Sequence, residues 1–177
     1  MFSCLAVSRC KVPIEIMLKR RNFNLASRYV MCFYEEESFD HLFVHCQWVS
    51  SLWALALSLI GVSWVQSSNV KDVLVAWKRR WKKCWVHGIW KLVPIAIWWC
   101  TWKERNRRIF DDKASSIQDF KLYFLGTLYS WSQALNGGSK VSFLDFVDKI
   151  MHESLRHDVF CTCPFCIWVP PLGVSFI

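Results

Sequence analysis

Cys32, His41 and Cys46 are the residues best able to do chemistry together. Two thiols and an imidazole are soft or borderline ligands, the kind that zinc takes in tetrahedral structural sites. Such ligands usually come from a turn and from the start of a following helix. Cys32 suits the turn; His41 and Cys46 suit the helix start. A closed tetrahedron needs a fourth ligand. Spacing puts it three residues before Cys32, at Tyr29, and a neutral phenol is a poor zinc ligand. His45 is a candidate substitute, one helical turn from His41, although Cys46 would then point elsewhere. In the competing reading Cys32 and Cys46 are small buried hydrophobes, as free cysteines often are, and His41 is a polar residue at a helix N-terminus.

The elements that must hold these residues read as helices. Pro13 opens a short helix ending at Lys19-Arg20-Arg21, and residues 23–37 form a loop or short hairpin with Glu35-Glu36-Glu37 in it. Ser38 stands in N-cap position before an apolar periodic run that reaches Ile60 and stops at Gly61. Val70, Val73, Leu74, Trp77, Trp81, Cys84, Trp85 and Ile89 recur at intervals of three and four, one face of a helix. Pro94 should kink or break that helix, because it lacks a backbone N–H; a further helical stretch covers Ile95–Ile109. Ser115 or Ser116 caps a helix whose stripe runs from Phe120 to Leu135, and a short helix covers Phe143–Leu155. Both stripes read first as core packing.

Composition supports one mainly α domain of four to five helices. The hydrophobic share is 54% while Gly (6) and Pro (5) are scarce, so long helices are favoured over many short strands. Twelve Trp residues could serve a core, an interface or base stacking. The nine Cys follow no secretory signal, since Phe2–Val7 is too short and has no basic flank, so they read as reduced thiols or metal ligands in a nuclear or cytoplasmic, non-secreted protein. The apolar stretch Ile89–Trp102 contains Lys91 and Pro94 and falls short of the roughly 20 residues a membrane span needs, so no stable span is expected.

Net charge is +8. It is clustered at Lys19-Arg20-Arg21, at Lys78 and Arg79 with Lys82 and Lys83 around Trp81, and at Arg105, Arg107 and Arg108. Cations interleaved with tryptophans are the usual equipment for holding RNA or single-stranded DNA through phosphates and stacked bases. A second cysteine group, Cys161, Cys163 and Cys166 after His157, has zinc or redox spacing but no second half. Phe110-Asp111-Asp112 resembles a polymerase palm motif, but no other carboxylates or triphosphate cradle accompany it. No catalytic residue is assigned.

Tyr29-Val30-Met31-Cys32, the acidic run, then Glu37-Ser38-Phe39-Asp40-His41-Leu42-Phe43-Val44-His45-Cys46 with Trp53 beyond resemble the zinc-binding domain that follows the reverse transcriptase in plant LINE-type retrotransposons. Lys11-Val12-Pro13 through Arg21 is similar to that family's entry segment, and Trp102-Lys103-Glu104-Arg105-Asn106-Arg107-Arg108-Ile109-Phe110 to a segment that closes many such sequences. The resemblance covers residues 11–136. It implies a zinc-binding-like module over 11–60, a Trp-rich basic helical region over 61–136, a leader outside the family at 1–10, and a linker, short helix and apolar tail at 137–177. It also implies Cys32, His41 and Cys46 as ligands and a family Cys lost at Tyr29, in a degenerate copy that holds zinc weakly or not at all. A polymerase domain, a second copy of the chain, RNA or single-stranded DNA are the partners it suggests. The expected function is a non-catalytic nucleic-acid-binding module; the alternatives are an interaction fragment or a remnant of a decayed element with no selected role.

Overall fold

Hydroxyl side chains close the helix starts. Ser38 Oγ accepts the His41 N–H, Ser116 Oγ the Asp119 N–H and Ser142 Oγ the Asp145 N–H, each at 3.1 Å. Each bond satisfies an N–H that a first helical turn leaves without a partner. The computed structural model describes residues 28–59, 67–80, 87–135 and 141–156. Among these the order is a π-turn, His41–His45, then α1 (Gln47–Ser58), α2 (Val70–Arg80), α3 (His87–Phe110), α4 (Ile117–Leu135) and α5 (Phe143–Arg156). There is no strand among the described residues, so the mainly α expectation holds. The expected helix after Pro13, the cations Lys19, Arg20 and Arg21, the residues Trp81, Lys82 and Lys83, and the tail with His157, Cys161, Cys163 and Cys166 lie outside the described residues. So do the side chains of Lys78 and Arg79 in the last turn of α2.

The run after Ser38 is not one helix. The Cys46 N–H reaches back five residues to His41 O at 2.8 Å, and Cys46 then takes an extended conformation (φ −53°, ψ 132°) before α1 begins. A break of this kind strips carbonyls of their helical partners. Here side chains replace them. The Trp53 and Trp98 indoles both donate to Phe43 O, at 3.2 and 3.3 Å, and the Ser50 hydroxyl donates to Val44 O at 3.2 Å. Trp98 comes from α3, so the turn is completed only by tertiary packing.

Pro94 neither breaks nor ends its helix: α3 runs from His87 to Phe110 straight through it. The proline removes the N–H that would have bonded Trp90 O four residues back. The Trp77 indole of α2 donates to that same carbonyl at 2.8 Å. The orphan acceptor is satisfied from outside the helix, and α2 is fastened to α3 by the same bond.

Burial follows the helical period. α4 turns Phe120, Phe124, Leu128 and Ser132, each four apart, into the protein and leaves Tyr123 and Leu135 exposed. α3 buries Trp90, Val93, Ala96, Ile97, Trp98 and Cys100 and packs along α4. α1 contributes Val49, Leu52, Trp53 and Ala56. α5 leans Phe146 and Ile150 on α4, where the Tyr129 hydroxyl donates to Val141 O at 2.6 Å. No helix among the described residues is long and apolar enough to cross a membrane.

Candidate metal centre

The loop before Ser38 is closed by its own backbone. The Tyr29 N–H donates to Glu35 O and the Phe33 N–H donates to Tyr29 O, both at 2.9 Å. The tight turn forces Phe33 to φ 59°, a left-handed conformation unusual for a bulky residue. Its ring is left in solvent while Cys32, one residue earlier, is turned inward and buried.

His41 and Cys46 come from the π-turn, and the turn is what lets them meet. On a regular α-helix, residues five apart point about 140° away from each other. The five-residue hydrogen bond widens the turn and swings them toward one side. Cys46 is also the residue that opens α1. The backbone N–H groups of Trp48 and Val49 point at its sulfur and favour the thiolate, but burial outweighs them, and the neighbouring Cys32 sulfur adds to the effect. The Cys46 thiol is pushed up to about 12.

The ligand atoms of Cys32, His41 and Cys46 lie within 4.8 Å of one another, and all three residues are buried. Cys32 Sγ is 3.2 Å from His41 Nε2. In a zinc tetrahedron the bond lengths of about 2.3 Å to sulfur and 2.0–2.1 Å to nitrogen place ligand atoms about 3.5–3.8 Å apart. The observed spacing needs only a small contraction or expansion to match. On the far side of the ring, Glu35 Oε2 stands 2.7 Å from Nδ1. The two atoms are close enough for an ion pair yet out of line for a hydrogen bond. The carboxylate thus stands on the Nδ1 side of the ring, opposite the nitrogen that faces Cys32. The donor set thus fits zinc at three positions.

Tyr29 packs against His41. It is fully buried, with its ring edge-on to the His41 ring at 5.4 Å between centroids. Its hydroxyl has no hydrogen-bond partner in the structure. Burial holds the phenol well above its ordinary value, and the neighbouring Cys46, Glu37 and Cys32 reinforce this while Arg105 opposes it. His45 does not substitute as a ligand. It is exposed, and its Nε2 is 2.8 Å from Ser68 O, which ties the turn to the start of α2. Asp40 adds a second tie, because its Oδ1 accepts the Val70 N–H at 2.8 Å.

The basic end of α3 is the surprise of the site. Arg105 makes a two-pronged pair with Glu37, Nε–Oε2 at 3.0 Å and Nη2–Oε1 at 2.8 Å, with both side chains buried. Arg108 lies over the Trp48 ring at 4.1 Å, donates to Met31 O at 3.2 Å and pairs with Glu104 at 2.8 Å. Arg107 is half-buried and pairs with Glu104 at 2.8 Å. Glu104 also accepts from the Ser115 backbone and hydroxyl. Burial would raise the Glu104 carboxyl, yet the Ser115 N–H and Arg108 outweigh it and hold the group below its usual range. Arg105 and Arg108, read from sequence as phosphate-binding cations, are thus turned inward to clamp the cysteine loop onto α3. Nothing in the spacing of the arginines announces this. Glu37 and Arg105 meet across 68 residues of sequence. Phe110, Asp111 and Asp112 form the exposed end of α3.

Compared with known proteins, residues 1–53 match the family model described as zinc-binding in reverse transcriptase. The match includes Tyr29, Cys32, His41 and Cys46, takes in residues 1–10, and ends within α1. No curated protein and no solved structure matches the chain.

Proposed function

We propose that this chain is a zinc-binding module related to the one in reverse transcriptases, non-catalytic, that uses its metal to fix a helical scaffold for contact with RNA or single-stranded DNA. The observation that carries the metal half is the convergence of Cys32, His41 and Cys46 within 4.8 Å inside a buried turn. The family match over the same residues supports it independently. When bound, zinc would cross-link the loop to the start of α1 through metal–thiolate bonds. Cys32 and Cys46 supply the thiolates, His41 the imidazole, and Glu35 holds the ring.

The nucleic-acid half rests on the net charge of +8 and on cations outside the arginine clamp. Lys103 is exposed above the Trp99 ring at 5.7 Å. Lys78 and Arg79 belong to the last turn of α2. Lys19, Arg20, Arg21, Lys82 and Lys83 complete the set. Binding that rests on phosphates weakens steeply with salt.

Two measurements on the full chain test this. Metal analysis after purification should find about one zinc per chain in the wild type, more firmly held in Tyr29→Cys and absent in Cys46→Ala. Titration with single-stranded RNA at rising salt should show a strongly negative slope, reduced in Lys78→Ala/Arg79→Ala and unchanged in Arg107→Lys. A flat salt response removes the nucleic-acid half and leaves the metal half standing.

A further inference from the structure

Tyr29 stands where spacing asks for a thiolate, and its hydroxyl is the anomaly of the site. A phenol buried this fully normally finds a hydrogen-bond partner. Tyr29 has none, although Glu35 and Glu37 are close in sequence and the Tyr29 backbone is well bonded. The backbone bonds from the Tyr29 and Phe33 N–H groups fix the loop that carries it, and the ring is held by its full burial. The ring stands edge-on to His41 with 5.4 Å between centroids. A fully buried hydroxyl without a partner thus belongs to the residue packed against His41, one of the three residues whose ligand atoms converge.

We propose that Tyr29 Oη is the fourth donor of the metal site, giving a centre of two thiolates, one imidazole and one phenolate in place of a three-thiolate one. The inference rests on the metal reading above and goes beyond it in assigning the ligand that closes the tetrahedron. On binding, the S–H bonds of Cys32 and Cys46 and the O–H bond of Tyr29 break, bonds from the metal to the two sulfurs and the oxygen form, and the protons pass to the buffer. His41 enters neutral through Nε2. No oxidant or reductant is involved. An oxygen donor is harder than a thiolate, so this centre holds zinc less firmly than one with cysteine at position 29 and discriminates less strongly for soft metals.

The test is zinc titration of the metal-free full chain, followed by ultraviolet difference spectroscopy, for the wild type, Tyr29→Phe and Tyr29→Cys. Phe keeps the ring and removes only the hydroxyl, so it should fold at least as well as Tyr in the absence of metal, which thermal unfolding checks. The wild type should develop the absorption of an ionised tyrosine in step with zinc binding. Tyr29→Phe should bind without that band and at least ~10-fold more weakly, since even outer-shell groups are worth that much. Tyr29→Cys should bind more tightly than either. Equal affinity for wild type and Tyr29→Phe, with no tyrosinate band in the wild type, overturns the assignment while the three-ligand site stands. Zinc bound by Tyr29→Cys and not by the wild type also overturns it. If no variant binds zinc, the metal reading itself fails.

Discussion

The thiol cluster and the arginine clamp lie side by side, share the loop from Tyr29 to Glu37, and differ in what their polar atoms have found. In the clamp, opposite charges meet. Glu37 holds Arg105 with both oxygens, and Glu104 collects Arg107, Arg108 and Ser115. In the cluster, two thiols and an imidazole converge, with a phenol packed against the imidazole. The first region has completed its chemistry by folding. The second brings together ligand atoms whose chemistry suits a shared metal ion. Cationic residues in a sequence suggest a ligand, but here it is the uncharged group that is built to receive one.

The largest effect expected from separating the two regions is at Glu37. Glu37→Ala leaves Arg105 buried and without its carboxylate, and losing one partner of a buried pair costs about 3–5 kcal/mol. Urea denaturation should show that loss with or without zinc. A loss that appears only when zinc is present would mean the pair serves the metal and the contrast between the regions is false.

Next in size is the metal's own contribution. A ligand at a hundred times its dissociation constant stabilises the folded state by about 2.7 kcal/mol. Thermal unfolding of the wild type should rise with zinc by that order, and Cys46→Ala should show no rise.

Acid should act on the clamp through Glu104. Its carboxyl is depressed in the folded protein, so the stability it brings is fully present above its unfolded value and is lost as pH falls through the folded one. Glu104→Gln should lower stability at neutral pH by about 1–3 kcal/mol, because Arg108 and the Ser115 N–H lose a charged acceptor. It should also flatten the fall in stability toward acid. Acid titration of the folded fraction compares the two, and an unchanged acid limb would assign the loss to other carboxylates.

How much of this could be read from the residues depends on which contacts decide each feature. The caps at Ser38 and Ser116 are local, a hydroxyl meeting an N–H three residues ahead, and both were legible; Ser142 caps its helix in the same way without having been singled out. The four-residue stripe of α4 was equally plain. The split of the helix at Cys46 and the continuity of α3 through Pro94 were not, because indoles from elsewhere in the chain decide both. Trp98 reaches Phe43 O across 55 residues and Trp77 supplies the bond that Pro94 lacks. That Cys32, His41 and Cys46 belong together was readable from type and spacing, and their ligand atoms do converge. The inward turn of Arg105 and Arg108 was not, since a run of cations looks the same on a surface as against a buried glutamate.

The smallest effect sharpens the loop itself. Phe33 sits in the left-handed region with its ring in solvent, at a cost of roughly 1–2 kcal/mol for an L-residue. Phe33→Gly should recover about 1 kcal/mol of stability, after the entropy that glycine loses on folding is counted. Chemical denaturation reads this directly, and a loss in place of a gain would show that the ring packs on something in solution.

Cobalt(II) added to the metal-free chain tests the convergence most directly. Two thiolates bound to one ion give intense sulfur-to-metal charge-transfer absorption, together with the visible bands of a tetrahedral centre, and both should vanish as zinc displaces the cobalt. Cys46→Ala should lose most of the charge-transfer intensity. Weak, octahedral cobalt spectra that are the same in the wild type and in Cys46→Ala would show that Cys32, His41 and Cys46 do not close on a shared ion.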